Sequence, residues 1–126
     1  MPQKSLLLVD DEPLIRESLA RELASATLAV TVAASGEEAV ARLGREWFDV
    51  VVSDLVMPGL DGFQVLKAAK RKDTAIAVIL LTGFGDMDTA IDALRLGADD
   101  FLRKPCEIDE LRWRIDNCLK KQDLQR

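Results

Sequence analysis

Histidine and tyrosine are absent from the 126-residue sequence, and cysteine occurs only twice. A chain without histidine has no imidazole base and none of the mixed cysteine and histidine sets that hold zinc. The two cysteines, Cys106 and Cys118, lie twelve residues apart, a spacing that fits no metal site, and we expect both to be ordinary small apolar residues. Any chemistry must therefore come from carboxylates, lysine and hydroxyl groups.

An excess of basic residues and a long apolar run are also missing. The chain has 17 lysine and arginine residues against 22 aspartate and glutamate residues, which gives a net charge of −5. This balance provides no general attraction to nucleic acid or to an anionic membrane, so we expect neither as a direct partner. No apolar run approaches the ~20 residues of a membrane span, and no basic-then-apolar leader is present, so we expect a soluble, cytoplasmic protein.

Length and hydrophobic content favour one domain. A chain of 126 residues that is 48% hydrophobic can bury one proper core, but it is short for two. We expect residues 1–126 to form a single domain with a core of about 4–121 and a short polar C-terminal tail.

Apolar runs alternate with amphipathic segments along the chain. The strand-like runs are residues 5–9, 28–33, 49–53, 75–81 and 99–103. Helical patterns follow at Pro13, after a capping box of Ser35 and Glu38, near Phe63, from about Asp86 to a stop at Gly97, and after Pro105, where Ile108, Leu111, Ile115 and Leu119 form one stripe. Five apolar strands alternating with five helices predict an α/β fold in which helices cover both faces of a parallel sheet.

Polar residues stand at the ends of four of these strands. Asp10 and Asp11 follow the first strand, Asp54 the third, Thr82 the fourth and Lys104 the fifth. In open parallel sheets the working site lies outside the carboxyl ends of the strands, where the strand order reverses. We therefore expect these five side chains to meet at one edge of the sheet.

Three carboxylates at one edge require a cation. At a separation of ~5 Å and an effective dielectric constant of about 20, each pair repels by roughly 3 kcal/mol. Oxygen ligands without histidine or thiol select a hard ion, and Mg²⁺ suits one or two carboxylates, several waters and a phosphate oxygen. A phosphoryl group at such a site would find its charge offset by the ion, Lys104 and the Thr82 hydroxyl.

The chain resembles the receiver domain of bacterial two-component response regulators over essentially its whole length. The matching segments are VDDEP at 9–13, SDLVMPGLDG at 53–62, LTG at 81–83 and the Lys104 and Pro105 pair. The segment around residues 83–105 is similar to receivers attached to sigma-54-type activators or hybrid histidine kinases. This resemblance implies a three-layer, flavodoxin-like, doubly wound fold with strand order 2-1-3-4-5.

The resemblance also assigns the acidic residues to roles. It implies that Asp54 is the phosphoacceptor, which receives a phosphoryl group from a partner's phosphohistidine or from a small phosphodonor. Asp11 and Asp54 would supply side-chain oxygens to Mg²⁺ and Val56 its backbone carbonyl, with Asp10 assisting through water.

The remaining site residues would respond to the phosphoryl group. Thr82 and Lys104 would each bond one of its oxygens, with Lys104 positioned by a cis bond to Pro105. Phe101 occupies an aromatic switch position, where the ring turns inward as Thr82 moves. The resemblance thus implies a phosphoacceptor that assists its own phosphotransfer and dephosphorylation but is not a turnover enzyme.

The implied partners are a sensor histidine kinase or a phosphotransfer protein. Output would pass through the face formed by the fourth helix, the fifth strand and the fifth helix, which could also support a homodimer. Trp113 lies well off the stripe set by Leu111 and Ile115 on the last helix, so it is either incidental surface or part of this contact face.

Other interpretations stay open at this point. The aspartates could serve only as helix caps and turn formers, and an unphosphorylated receiver could act as a scaffold. An aspartate-nucleophile phosphatase needs a second acid two residues beyond the nucleophile, where Val56 stands. A flavin module needs a phosphate-binding first loop, and Asp10, Asp11 and Glu12 would repel a phosphate there.

Overall fold

Ten elements of secondary structure alternate along residues 3–83 and 87–125, which are the residues described by the computed structural model. The strands are β1 (Lys4–Val9), β2 (Leu28–Ala33), β3 (Val50–Asp54), β4 (Ala77–Thr82) and β5 (Asp100–Arg103). The helices are α1 (Pro13–Leu23), α2 (Gly36–Arg45), α3 (Gly62–Lys72), α4 (Met87–Arg95) and α5 (Ile108–Leu124).

The largest difference from the predicted strand bounds is at β4, which begins at Ala77 rather than at residue 75. Asp73 holds the preceding residues in a turn, because its Oδ1 accepts a hydrogen bond from Ala75 N at 2.8 Å and its carbonyl accepts one from Ile76 N at 3.1 Å. A side chain that bonds backbone two residues ahead competes with strand pairing, and apolar periodicity does not register this.

The five strands form one parallel sheet in the order β2-β1-β3-β4-β5. This confirms the predicted α/β fold and its strand order 2-1-3-4-5. The chain passes from β1 outward to β2 and then returns to β3 on the other side of β1, so the order reverses between β1 and β3. The carboxyl ends of β1 and β3 therefore flank the crevice where folds of this kind bind ligands.

Helices bury the sheet from both sides. Leu7, Val9 and Val51 face α2, α3 and α4, whereas Leu6 and Leu8 face α1 and α5. Successive residues of a strand point to opposite faces, so a strand that is covered on both sides must be apolar throughout. β3 and β4 are buried at every residue, as this arrangement requires.

The helix starts differ in how well the sequence predicted them. The Ser35 side chain accepts a hydrogen bond from Glu38 N at 3.1 Å, as expected for an N-cap. The reciprocal bond is displaced, because Glu38 Oε2 accepts from Ala34 N at 3.1 Å rather than from Ser35 N. The full capping box belongs instead to α3, where Asp61 and Gln64 bond each other's backbone N–H groups.

The last two helices carry the remaining differences. α4 buries its small residues, Ala90 and Ala93, and leaves Ile91 and Leu94 exposed. Gly97 ends it with φ of +110°, as predicted, whereas the predicted start at Asp86 lies outside the described residues.

α5 continues to Leu124, so residues expected to form a polar tail are helical. Gln122 within this segment is buried, and its Nε2 donates to Asp49 O at 2.8 Å and to Ala75 O at 2.7 Å. Cys118 is also buried and Cys106 is partly buried, both as free thiols. Over the described ranges, no helix combines the length and the apolarity that a bilayer crossing requires.

Gly62, the first residue of α3, lies directly against the end of β3. An ideal Cβ built on Gly62 would come within 2.6 Å of Asp54 O and 2.8 Å of Leu55 Cα, and both are backbone atoms that cannot rotate away. Glycine at this position therefore lets α3 start directly beside the backbone of Asp54.

We expect Gly62→Ala to lower the free energy of unfolding by roughly 1–3 kcal/mol, because strand and helix would have to separate. Gly44→Ala in α2 is the matched control, since the same added Cβ would meet no atom within 4 Å. That change should instead raise stability by up to about 1 kcal/mol through helix propensity. Urea unfolding compares the two, and equal effects would show that the close approach at Gly62 is not a constraint.

Candidate functional site

The carboxyl edge of the sheet brings three aspartates together. Asp10 and Asp11 follow directly after β1, and Asp54 is the last residue of the neighbouring β3. One carboxylate oxygen from each of the three lies within 4.8 Å of the other two. We call Asp10, Asp11 and Asp54 the acidic cluster. The predicted convergence of these three residues is confirmed.

Lys104 reaches the acidic cluster from the far side of the sheet. Its Nζ lies 2.6 Å from Asp54 Oδ1 and 3.3 Å from Asp10 Oδ2. Its own backbone N–H donates to Thr82 O at 2.7 Å, which fixes the start of the loop after β5 against the end of β4. The Lys104–Pro105 peptide bond is cis, as expected.

The three aspartates differ in exposure. Asp10 is completely buried, Asp54 is nearly so, and Asp11 is exposed. Both oxygens of Asp10 are engaged, since Oδ1 accepts from Glu12 N at 2.9 Å and Oδ2 faces Lys104. A buried charge must be paired or hydrogen-bonded, and Asp10 meets this condition within the protein. Asp11 lies at the solvent side, where an ion or a ligand could reach it.

Burial raises the pKa of Asp54 to about 7; the Lys104 ammonium lowers it and Asp10 raises it further. For Lys104, burial by itself would lower the pKa, but the carboxylates of Asp54 and Asp10 outweigh burial and hold it above its ordinary value. The outcomes differ because the effect of Lys104 on Asp54 is opposed by Asp10, whereas both carboxylates next to Lys104 favour its charged form.

The donor set fits a hard divalent cation. Among the described residues it consists of carboxylate oxygens alone: the chain has no histidine, and neither cysteine belongs to the group. Within the described residues, Asp54 Oδ1 is buried without an aligned hydrogen-bond donor, although the Lys104 ammonium lies beside it. One ammonium against three carboxylates leaves excess negative charge, which Mg²⁺ would offset.

The other predicted site residues lie around this edge with separate contacts. Thr82 is buried, and its hydroxyl donates to Leu102 O at 3.4 Å. Phe101 is partly buried against the core on the α2 and α3 side. Val56 lies just beyond Asp54 and is 67% exposed. The roles of these residues as phosphoryl, switch and metal positions remain predictions.

Sequence reasoning missed three contacts that support the site. Arg16 Nη1 donates to the carbonyl of Asp10 at 2.9 Å, and the Ser53 hydroxyl donates to the carbonyl of Asp54 at 2.9 Å. The third is the approach of Gly62 to the same Asp54 carbonyl. For the Arg16 bond, the only sequence signal was that Arg16 lies one turn into α1. A backbone acceptor leaves no trace in the pattern of side chains.

A comparison with protein families matches residues 6–116, most of the chain, to the response regulator receiver domain. The C4-dicarboxylate transport transcriptional regulatory protein DctD of Pseudomonas aeruginosa is 40% identical over 122 residues, which are 97% of this chain and 26% of that protein. The DNA-binding transcriptional regulator NtrC of Salmonella typhimurium is 43% identical over 102 residues, 81% of this chain and 22% of NtrC. The chain therefore spans only about a quarter of the length of these relatives.

Solved structures agree with the sequence relatives. A response regulator receiver domain protein from Clostridium thermocellum has a TM-score of 0.92 at 34% identity, covering 98% of this chain and 99% of that one. A CheY-like receiver domain protein from Methanospirillum hungatei has a TM-score of 0.92 at 27% identity, with the same coverage of both chains.

In EDTA-containing buffer, we expect Asp54→Asn to stabilise the fold above pH 7 and to have little effect near pH 4. The pKa of Asp54 is about 7 when folded and 3.8 in a model peptide, so the folded state holds a proton that the unfolded state has released. Stability must therefore fall as pH rises through this window, and the variant avoids that loss. Thermal unfolding across the pH range measures it. Asp116→Asn, which removes an exposed charge on α5, should show no such trend.

Proposed function

The chain belongs to the response regulator receiver domain family, and from this membership we propose that it is a phosphoacceptor switch of a two-component phosphorelay. Asp54 would accept the phosphoryl group from a partner histidine kinase or a phosphotransfer protein in a Mg²⁺-dependent reaction. Residues 1–126 would form one receiver domain, with a core of about 4–121. A cytoplasmic location belongs to the same proposal.

One observation carries this proposal: Lys104 sits between two buried carboxylates while a third remains open to solvent. A purely structural cluster would be expected to neutralise its charges, because unpaired buried carboxylates destabilise a fold. Here an excess of negative charge is retained at the ligand-binding edge of the sheet. This imbalance suits a site that is completed by a cation and then receives a phosphoryl group.

Asp54 is the member best suited to form the covalent bond. One of its oxygens would bond to phosphorus while the bond from phosphorus to the donor's nitrogen or oxygen breaks, and the departing atom keeps the electron pair. Asp54 must be ionised to act, and Lys104 favours that form. The domain would thus assist its own phosphotransfer. In its dephosphorylation a water oxygen would bond to phosphorus while the bond from phosphorus to the Asp54 oxygen breaks, and the Asp54 carboxylate would keep the electron pair as inorganic phosphate leaves.

The metal site would be formed by Asp11, Asp54 and the Val56 carbonyl, with Asp10 assisting through water. When bound, Mg²⁺ would supply positive charge against the phosphoryl oxygens. Lys104 would then be free to exchange a contact with Asp54 for one with a phosphoryl oxygen. Thr82 would exchange its hydrogen bond to Leu102 O for one to a phosphoryl oxygen, and the Phe101 ring would turn inward as Thr82 moves.

Incubated with Mg²⁺ and acetyl phosphate, wild type should gain one acid-labile phosphoryl group by mass, and Asp54→Ala should gain none. Lys104→Ala should slow the gain by roughly 100-fold, the usual effect of removing one transition-state donor. EDTA should prevent the gain. The charge-matched control Asp116→Asn should behave as wild type.

Modification of Asp54→Ala at the wild-type rate would assign the acceptor to another residue. If neither protein is modified by acetyl phosphate or by a kinase, the scaffold alternative is the better description.

The output would pass through α4, β5 and α5, and exposed apolar side chains lie at both helices. Ile91, Leu94 and Leu96 are exposed at α4, and Trp113 is 61% exposed on α5. Arg114 bonds Asp100 on β5 at 3.0 Å, and its guanidinium carbon lies 5.8 Å from the centre of the Trp113 ring. These contacts link the indole to the strand that carries Phe101.

We expect Trp113→Ala to weaken phosphorylation-dependent self-association or partner binding at least ~10-fold, because large aromatic residues dominate such contacts. Sedimentation with and without beryllium fluoride, a phosphoryl mimic, measures self-association. Leu14→Ala is the control, since Leu14 is apolar and 83% exposed but lies on α1. If Trp113→Ala leaves both states unchanged, the residue is only surface.

A further inference from the structure

An open groove of about 330 Å³ runs between α2 and α3, on the side of the sheet away from α1 and α5. We call it the α2–α3 groove, and it is lined by Val40, Leu43, Gly44, Ala68, Arg71 and Lys72. Each helix contributes residues at i, i+3 and i+4, the spacing of a continuous helical stripe. The floor is apolar or small, and the α3 side is basic.

Gly44 leaves a notch in this groove that the fold itself does not require. A Cβ added there would meet no atom within 4 Å, and Gly44 does not have the positive φ that is recorded for Gly59 and Gly97. Glycine within a helix costs up to about 1 kcal/mol relative to alanine. Neither crowding nor backbone geometry therefore accounts for glycine at this position, which leaves the groove without a side chain there.

The groove lies in a basic part of an acidic protein. α3 contains Lys67, Lys70, Arg71 and Lys72 and no acidic residue, although the whole chain has a net charge of −5. Lys70 and Lys72 are occupied, because their Nζ atoms donate to backbone carbonyls of neighbouring elements. Arg71, which lines the groove, and Arg45, which follows Gly44 at the end of α2, have no carboxylate within 4.0 Å among residues 3–83 and 87–125.

We propose that the α2–α3 groove is a docking site for an acidic amphipathic helix of a partner protein. Apolar side chains of that helix would pack on Val40 and Ala68 and enter the notch at Gly44. Its aspartate and glutamate residues would lie near Arg71 and Arg45, which have no carboxylate partner within the described residues. A basic or purely apolar helix would lack one of these two contributions.

This binding is independent of phosphorylation at the acidic cluster. No residue of the groove belongs to that cluster, and Gly44 lies in the exposed surface of α2. Variants of the groove should therefore keep the gain of a phosphoryl group from acetyl phosphate, so failure of either proposal can be recognised without the other.

The test uses a synthetic peptide of about 18 residues, roughly five helical turns, with leucines on one face and glutamates on the other. Titrated into the intact chain, it should shift the amide NMR signals of α2 and α3 saturably. Gly44→Leu, which fills the notch, and Arg71→Glu, which reverses a charge, should each weaken binding at least ~10-fold. Gly44→Ala and Lys120→Glu, a charge reversal on α5, should stay within about twofold of wild type.

Two further peptides decide the chemistry. A scrambled peptide of the same composition and one with lysine in place of glutamate should both bind at least ~10-fold more weakly than the acidic helix. Equal binding of the lysine peptide, or saturable shifts confined to other elements, would overturn the proposal. A third outcome would also overturn it: the wild-type chain binds no peptide but self-associates, and Gly44→Leu abolishes that self-association. The groove would then serve a second copy of the chain. Urea unfolding of each variant checks that the fold is retained.

Discussion

Two buried carboxylates share one ammonium at the carboxyl edge of the sheet, and the site depends on this arrangement. Asp10 and Asp54 follow neighbouring strands, and Lys104 Nζ lies within 3.3 Å of an oxygen from each. Like charges at ~5 Å repel by roughly 3 kcal/mol at an effective dielectric constant of about 20, and the ammonium between the two carboxylates offsets this repulsion. Asp11 adds a third negative charge that Lys104 does not offset. The sheet thus holds more negative than positive charge at this edge. The cis Lys104–Pro105 bond lies next to the ammonium-bearing residue, and the close start of α3 lies against the backbone of Asp54.

Much of this arrangement could be predicted from the periodicity of apolar residues and from the position of polar residues at the strand ends. A strand covered on both faces is apolar at every residue, as in β3 and β4, and parallel strands deliver their last residues to one edge, which placed Asp10, Asp11 and Asp54 together. What could not be predicted rests on backbone atoms. The Arg16 bond to Asp10 O and the approach of Gly62 to Asp54 O both involve main-chain partners that have no side-chain signature. The Asp61 and Gln64 box does have the spacing of a capping box, and the sequence prediction overlooked it. The polar sequence after residue 120 likewise gave no indication that Gln122 is buried, because its amide bonds backbone carbonyls.

The acidic cluster is connected to two different surfaces by short routes. Lys104 follows β5, bonds the cluster through its Nζ and bonds Thr82 O at the end of β4 through its backbone N–H, and Arg114 then ties β5 to the exposed indole of α5. Through Gly62 the end of β3 touches the first residue of α3, one wall of the α2–α3 groove. The first route contains hydrogen bonds that can be exchanged, whereas the second is a contact between packed backbones. A switch would therefore use the first, and a constitutive docking surface would suit the second.

Gln122, at the end of the molecule opposite the acidic cluster, limits where the chain can be cut or fused in protein engineering. Its amide bonds the carbonyls of Asp49 and Ala75, the residues from which β3 and β4 set out, and so closes the edge of the sheet opposite the acidic cluster. A fragment cut after Lys121, where the apolar pattern fades, would lose this clamp and uncover two acceptors at the base of the central strands. Fusions that graft this receiver onto another effector should therefore place their junction beyond the last turn of α5.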